Sequence, residues 1–310
     1  MKLRMASRGS QLALWQARHI AGLLEEAGHT VEIEIVKTTG DRLQSASFAQ
    51  VGTKGMFTKE IEEALAEGRA DLAVHSLKDL PTELPQGFAL AATPKRVDPR
   101  DCFVSVKYRA IDELPQGAVV GTSSQRRRAQ LKALRPDLEL VEFRGNVDTR
   151  LRKLAEGQVD AILLAAAGLD RLEKAEWVRA RMEPELFCPA AGQGSLGIET
   201  RADAADVIEA LSFLDDRHTR FAVSFEREVL TALGGGCQVP IGAHCRFIDE
   251  KKIELFGVVA DPQTGRALRA HQQTTVSLEG DWKNVAAMLG KEIAGQLIAQ
   301  GACKMLEERG

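Results

Sequence analysis

The stretch Leu3-Arg4-Met5-Ala6-Ser7-Arg8-Gly9-Ser10, read together with residues 11–35, decides the fold class. Leu3 to Ala6 reads as a short strand. Ser10 is placed to cap a helix running to about Ala27, with Ala13, Ala17, Ile20 and Leu24 on one face and Gly28 as its stop. Val31, Ile33 and Ile35 then alternate with Glu32 and Glu34, which is the period of a strand. Strand, helix, strand is the opening of an α/β domain. Arg8 falls in the first strand-to-helix turn, the edge at which open α/β sheets bind ligands.

Composition sets the limits around that opening. A chain of 310 residues has room for two or three domains, and 44% hydrophobic with 27% charged residues is ordinary for a soluble protein. A net charge of −3 excludes a global basic field for nucleic acid, so anion binding must come from local clusters. No run is long and apolar enough to span a bilayer, and Met1 to Arg8 lacks the apolar core of a signal peptide. The five cysteines (102, 188, 237, 245 and 303) form no C-x-x-C pair and no zinc spacing. A reducing, cytoplasmic setting without a metal site is expected.

Beyond the opening, residues 37–56 form a long polar loop containing Lys54, expected to be a lid or binding segment. A helix comes next, with Phe57, Ile61 and Leu65 on one face and Gly68 as its break. Ala70 to Val74 reads as a buried strand running into His75-Ser76-Leu77-Lys78-Asp79-Leu80-Pro81. A serine, a lysine and a carboxylate thus leave one strand end together. Asp79 reads either as an acid/base or charge-stabilising group with Lys78 binding an anion, or as half of a surface ion pair. Phe88 to Ala92 is another strand, and Pro94 to Asp101 is a proline-punctuated boundary.

A second α/β unit begins there. Cys102 to Val106 and Ala118 to Val120 read as strands, and Gly121-Thr122-Ser123-Ser124-Gln125-Arg126-Arg127-Arg128 opens a helix. Hydroxyl residues at a helix N-terminus leave backbone N–H groups free for an anion. Arginines in the first turn oppose the helix dipole and make sense beside a polyanion. Leu138 to Phe143 is a strand delivering Arg144-Gly145-Asn146-Val147-Asp148-Thr149-Arg150, where the next helix starts. Val159 to Ala167 is a strongly apolar strand that runs into Gly168 to Arg171. Arg8, Lys78, the Arg126/Arg127 pair and the Arg144/Arg150 pair therefore lie at four strand-to-helix edges, which suggests a cleft for a multiply charged anion.

Pro189 to Ser195 links into a strand at Leu196 to Glu199, and helices come after it near 202–213 and 216–232. The second leads to Leu233-Gly234-Gly235-Gly236-Cys237-Gln238-Val239-Pro240. Three glycines bare one thiol, which suits a nucleophile, a covalent attachment point or simply a flexible turn. The remainder alternates at 241–247 and 253–257, adds a strand at 274–278 and ends in a helix presenting Trp282, Val285, Leu289, Ile293 and Leu297. That pattern suggests a small α+β domain. His75 and His244, the only histidines that could serve Cys237, read as structural.

Together these segments resemble the porphobilinogen deaminase (hydroxymethylbilane synthase) family almost end to end. The resemblance rests on Ala6-Ser-Arg8 with Leu12-Ala-Leu-Trp15-Gln-Ala, Val51-Gly-x-Lys54-Gly, His75-Ser-Leu-Lys78-Asp79-Leu-Pro, Gly121-Thr-Ser-Ser-x-Arg126-Arg127, Arg144-Gly-Asn-Val, Pro189-Ala-x-Gly-Gln-Gly and Gly235-Gly-Cys237-Gln-Val-Pro. Gln125 and Arg128 depart from the helix motif, which touches fine substrate contacts rather than the reaction. The resemblance implies two doubly wound α/β domains like type II periplasmic binding proteins, plus a small C-terminal α+β domain. The chain returns to the first near Gly194, giving 1–95 with 195–214, then 96–194, then 215–310.

It also implies a monomeric transferase that joins four porphobilinogen molecules head to tail into hydroxymethylbilane and releases ammonia. The primer is a dipyrromethane cofactor on a thioether at Cys237. Asp79 becomes the catalytic carboxylate. Ser76, Lys78, Asp79, Thr122, Ser123, Ser124, Arg126, Arg127, Arg144 and Gly145 become cofactor-binding. Arg8, Ser10, Lys54, Arg144, Arg150, Arg171 and Gln193 become substrate-binding. The rival is a non-catalytic two-lobed receptor for a small polycarboxylate, which would account for neither Cys237 nor the third domain.

Overall fold

The computed structural model describes residues 1–39, 58–235 and 239–307. Lys54 and most of the 37–56 loop, Phe57 and Cys237 lie outside the described residues. In chain order the strands are β1 (Lys2–Ser7), β2 (Thr30–Ile35), β3 (Leu72–Ser76), β4 (Phe88–Ala92), β5 (Asp101–Val104), β6 (Val119–Gly121), β7 (Glu139–Val141), β8 (Ala161–Ala165), β9 (Val178–Arg181), β10 (Leu196–Arg201), β11 (Ile241–Phe247), β12 (Lys252–Ala260) and β13 (Ala267–Thr275). The α-helices are α1 (Gln11–Glu26), α2 (Lys59–Ala66), α3 (Gln125–Leu134), α4 (Val147–Ala155), α5 (Ala166–Arg171), α6 (Ala205–Leu211), α7 (Arg217–Ala232), α8 (Trp282–Ala299) and α9 (Ala302–Glu307).

Residues 1–96 and 195–216 form one compact unit. Its sheet runs β2-β1-β3-β10-β4, with β10 antiparallel to both neighbours. The Ser10 hydroxyl caps α1 by accepting from the Ala13 N–H at 3.3 Å. The apolar face of α1 (Ala17, Ile20, Leu24) packs with Leu3, Met5, Val74 and Ile198 of the sheet. On another part of the unit, Ile61 and Leu65 of α2 share a core with Ala6 and Ala73.

Residues 97–194 and 217–310 form the other unit. Its first sheet runs β7-β6-β8-β5-β9, with β5 antiparallel to both neighbours. Each five-stranded sheet is thus a doubly wound α/β sheet with one antiparallel strand threaded through it. The antiparallel meander β11-β12-β13 makes the third sheet. α7 and α8 cover it, burying Phe221, Phe225, Val229, Leu255, Ile293 and Leu297. Phe256, Val258 and Ala260 of β12 also pack against Ala129 and Cys188, so the meander is tied into the rest of its unit.

Several boundaries differ from expectation. The apolar run 159–167 is strand only to Ala165, because α5 starts at Ala166 and Gly168 lies inside it. Alanine-rich apolar sequence has no period to separate strand from buried helix. The strand expected at 138–143 spans only Glu139–Val141. The last strand starts earlier than 274, at Ala267, and ends at Thr275: only Leu268 and Ala270 are buried along it, and polar residues fill it from His271 on, which blurs its period in the sequence. The edge strand β9 was not expected, since Arg179 and Arg181 interrupt its apolar residues.

Among the described residues, no helix is long and apolar enough to cross a membrane, and no cluster of three or more His, Cys, Asp or Glu could hold a metal ion. Cys102, Cys188 and Cys245 are buried free thiols, and Cys303 is exposed. Burial pushes the Cys102 and Cys188 thiols up to about 12, which makes both poor nucleophiles.

Candidate active site

In the first unit, β1 and β3 are parallel neighbours, with Met5 opposite Leu72 and Ala6 opposite Ala73. Their C-terminal ends therefore bring Arg8 and Ser10 to the same sheet edge as Ser76, Lys78 and Asp79. Ser76 accepts a hydrogen bond from Gln16 Nε2 at 2.8 Å. That bond occupies the hydroxyl as an acceptor and leaves its own proton to donate elsewhere. Leu77–Asp79 forms a single 3-10 turn. Leu77 N–H donates to Ser195 O at 3.0 Å, and Leu80 N–H donates to Leu77 O at 3.1 Å. Leu77 and Leu80 are buried while Asp79 between them is exposed. Behind the edge, His75 Nε2 lies 3.0 Å from the fully buried Glu199 Oε2.

The second unit repeats the arrangement with β6, β7 and β8, which are parallel. Thr122, Ser123 and Ser124 come directly after β6, and the Ser124 hydroxyl caps α3 by accepting from Arg127 N–H at 3.4 Å. Arg144 and Gly145 come after β7, and Asn146 caps α4 by accepting from Thr149 N–H at 2.9 Å. Gly145 has φ of 126°, and a Cβ there would stand 2.8 Å from Thr149 Cγ2, so only glycine fits this entry to the helix. Arg144 Nε donates to Glu142 at 2.7 Å. The Arg150 Nε and the Ser123 Oγ are buried with no hydrogen-bond partner among the described residues. Burial, then repulsion from Arg127 and Arg144, pushes the Arg150 guanidinium down to about 10. Arg171 sits in the last turn of α5, and its Nη2 donates to Gly194 O at 2.8 Å.

Local sequence patterns miss one member of this edge. Asp101, the first residue of β5, is fully buried. Arg126 Nη1 donates to its Oδ2 at 2.6 Å, and Arg127 donates to its Oδ1 from Nε at 2.9 Å and Nη2 at 2.7 Å. Gln193 Nε2 also donates to Oδ1, at 3.1 Å, and to Pro99 O at 2.7 Å. Against its burial, the two guanidiniums hold the Asp101 carboxyl well below the usual carboxylate range. The anion immediately beside Arg126 and Arg127 is thus a side chain of the chain itself. Three charges in contact leave a net of one positive charge here. The one signal in the sequence is a carboxylate opening an apolar strand, just after Pro99-Arg100.

Residues 3–209 match the family model described as "Porphobilinogen deaminase, dipyromethane cofactor binding domain", and residues 220–299 match "Porphobilinogen deaminase, C-terminal domain". The chain is 50% identical over 309 residues to a porphobilinogen deaminase of Nitratidesulfovibrio vulgaris strain Hildenborough, covering 99% of this chain and 96% of that one. It is 55% identical over 297 residues to that of Albidiferax ferrireducens, covering 96% and 93%. Among solved structures, the methionine-binding protein MetQ is similar over 69% of this chain and 89% of its own, at 14% identity and a TM-score of 0.45.

Fold, edges and matches define a transferase of tetrapyrrole biosynthesis. The chain belongs to the porphobilinogen deaminase, or hydroxymethylbilane synthase, family. It polymerises four porphobilinogen molecules head to tail into hydroxymethylbilane, with release of ammonia, and uses a dipyrromethane cofactor. The receptor alternative is not favoured, because the match extends through the C-terminal domain.

Proposed function

We propose that Asp79 is the catalytic carboxylate and that the arginine-bearing edge of the second unit binds the carboxylates of the cofactor and the growing chain. The observation carrying this is Arg150. Its Nε is buried without a partner among the described residues, and two neighbouring arginines repel it. Such an arrangement is unfavourable until an anion is present. The unpartnered Ser123 hydroxyl adds a neutral donor. The residues present therefore fit a group bearing acetate and propionate side chains. Ser76, Lys78, Thr122, Ser123, Ser124, Arg144 and Gly145 would hold the cofactor. Arg126 and Arg127, which donate to Asp101 from Nη1 and from Nε and Nη2 respectively, would hold the cofactor through their charge and remaining donors. Arg8, Ser10, Lys54, Arg144, Arg150, Arg171 and Gln193 would receive the substrate.

When bound, the cofactor supplies a free pyrrole α-carbon as the nucleophile. The chain's own task is to manage charge. As ammonia leaves porphobilinogen, positive charge builds on the pyrrole ring, and the Asp79 carboxylate stabilises it and helps move protons. Lys78 draws a cofactor carboxylate to the same edge. Cys237 carries the cofactor as a thioether, and the neighbouring glycines leave room for so bulky a group. The chain works as a cytoplasmic monomer of three domains, 1–95 with 195–214, 96–194 and 215–310. Free, buried cysteines support a reducing compartment.

Intact mass with a peptide map around Cys237, combined with turnover of an Asp79→Asn variant, tests this reading. The expected result is a dipyrromethane adduct on Cys237 in both proteins, with most turnover lost in the variant. An adduct on another residue overturns the attachment site, and near-normal turnover overturns the role of Asp79.

A further inference from the structure

We propose that Gly197 is a positioning residue for the reaction. Its bare Cα forms the seat on which the turn carrying Lys78 and Asp79 is aimed. The proposal rests on the assignment of Asp79 as the catalytic carboxylate. Gly197 lies on β10 opposite His75 of β3, and Leu196 lies opposite Ser76. A methyl group at Gly197 would stand 2.9 Å from Leu77 Cδ1, 3.1 Å from Leu80 Cδ1 and 3.0 Å from Leu90 Cδ1. Leu77 and Leu80 are the two residues that bracket Lys78-Asp79, and they are only 1% and 2% exposed. Asp79 between them is exposed, so its direction is set by how deeply its two flanking leucines sit. The backbone bonds from Leu77 N–H to Ser195 O and from Leu80 N–H to Leu77 O set the turn's pitch. Gly197 sets its height above the sheet.

Leu90 completes the notch from the other side. It belongs to β4, which flanks β10 on the side away from β3. This makes the proposal separable from general destabilisation. Gly197→Ala must displace the Leu77 and Leu80 methyls by a few tenths of an ångström, and through them the turn they seat, unless β10 shifts towards Leu90. Misplacing a reacting group by about 1 Å costs on the order of a hundredfold in rate, so a shift of a few tenths of an ångström passed on to Asp79 costs roughly three- to tenfold.

The experiment measures kcat, KM for porphobilinogen and cofactor content by intact mass in holo-protein carrying Gly197→Ala, Leu90→Ala, both together, and Asp79→Asn. The expected result is a roughly three- to tenfold lower kcat for Gly197→Ala, with KM within about twofold and the cofactor retained. Leu90→Ala in the same chain restores kcat to within about twofold of Leu90→Ala alone, because the new methyl then has space on the side remote from the turn. If Gly197→Ala does not fold, Leu80→Val loosens the same seat from above, and a lower kcat at constant KM is again expected. Wild-type kcat in whichever of these variants folds, with Asp79→Asn inactive, overturns the positioning role alone. Loss in Gly197→Ala that Leu90→Ala does not relieve also overturns it. An active Asp79→Asn overturns the assignment on which it rests.

Discussion

Replacing Asp101 with Asn keeps the shape and removes the charge that two buried arginines share. In the wild type this carboxylate accepts three hydrogen bonds from Arg126 and Arg127 and a fourth from Gln193. With Asn, one amide oxygen must serve donors that previously had two charged oxygens, and the amide N–H2 points at a guanidinium. Breaking a buried ion pair by removing one partner costs about 3–5 kcal/mol. In a unit of roughly two hundred residues each kcal/mol moves the midpoint by about 2–4 °C, so Tm should fall by about 6–20 °C. Calorimetry of the holo-protein at neutral pH reads this directly. The difference should persist through neutral pH. The native carboxyl is held below its ordinary value, so its contribution is complete above that value and is lost only as pH falls through the depressed one. A Tm within about 2 °C of wild type would overturn this account, since the arginines would then have an equivalent partner.

Other buried charges give two further outcomes. Arg150→Gln should raise KM for porphobilinogen about tenfold or more, the value of one charge-assisted hydrogen bond, while the melting temperature stays level or rises because a repelled cation is gone; an unchanged KM in steady-state kinetics would remove Arg150 from the substrate contacts. Glu62 is pushed above its ordinary value of 4.5 by burial, with Glu199 adding to it and Thr58 and His75 opposing. A raised carboxyl stabilises while protonated and loses that contribution as pH rises from the ordinary value through the raised one, so Glu62→Gln should flatten the decline of Tm as pH rises above 4.5, and an unaltered slope would contradict this.

How much of the molecule is legible in its sequence depends on the range of the interaction. Ser10, the α1 stripe and the alternation in β2 are local patterns, and they suffice for the opening strand-helix-strand unit. The small hydroxyl residues and arginines at the start of α3 are equally visible, as is their need for an anion. What cannot be read is that Asp101 stands in contact with Arg126, 25 residues away, through strand order rather than spacing. The same holds for Gly197, whose significance lies in three leucines from β4 and the β3 turn converging on one Cα. Local sequence also misjudges β9 and β13, where charged or small residues hide a strand that pairing secures. The roles of Asp79 and Cys237 come from the resemblance, since an exposed carboxylate and a thiol among glycines have several uses.

The sheet order β2-β1-β3-β10-β4 has a consequence for how the chain is made. On the ribosome β3 and β4 emerge early, but the strand that belongs between them starts at Leu196. At about 5–20 residues per second, the intervening hundred or so residues take roughly 5–20 seconds to synthesise. For that interval the nascent first unit exposes two strand edges with no partner, while the whole second α/β sheet is being translated. Premature pairing of those edges with another chain is the characteristic hazard of such a gap. A stalled or truncated product ending before Leu196 should therefore be the form most dependent on chaperones.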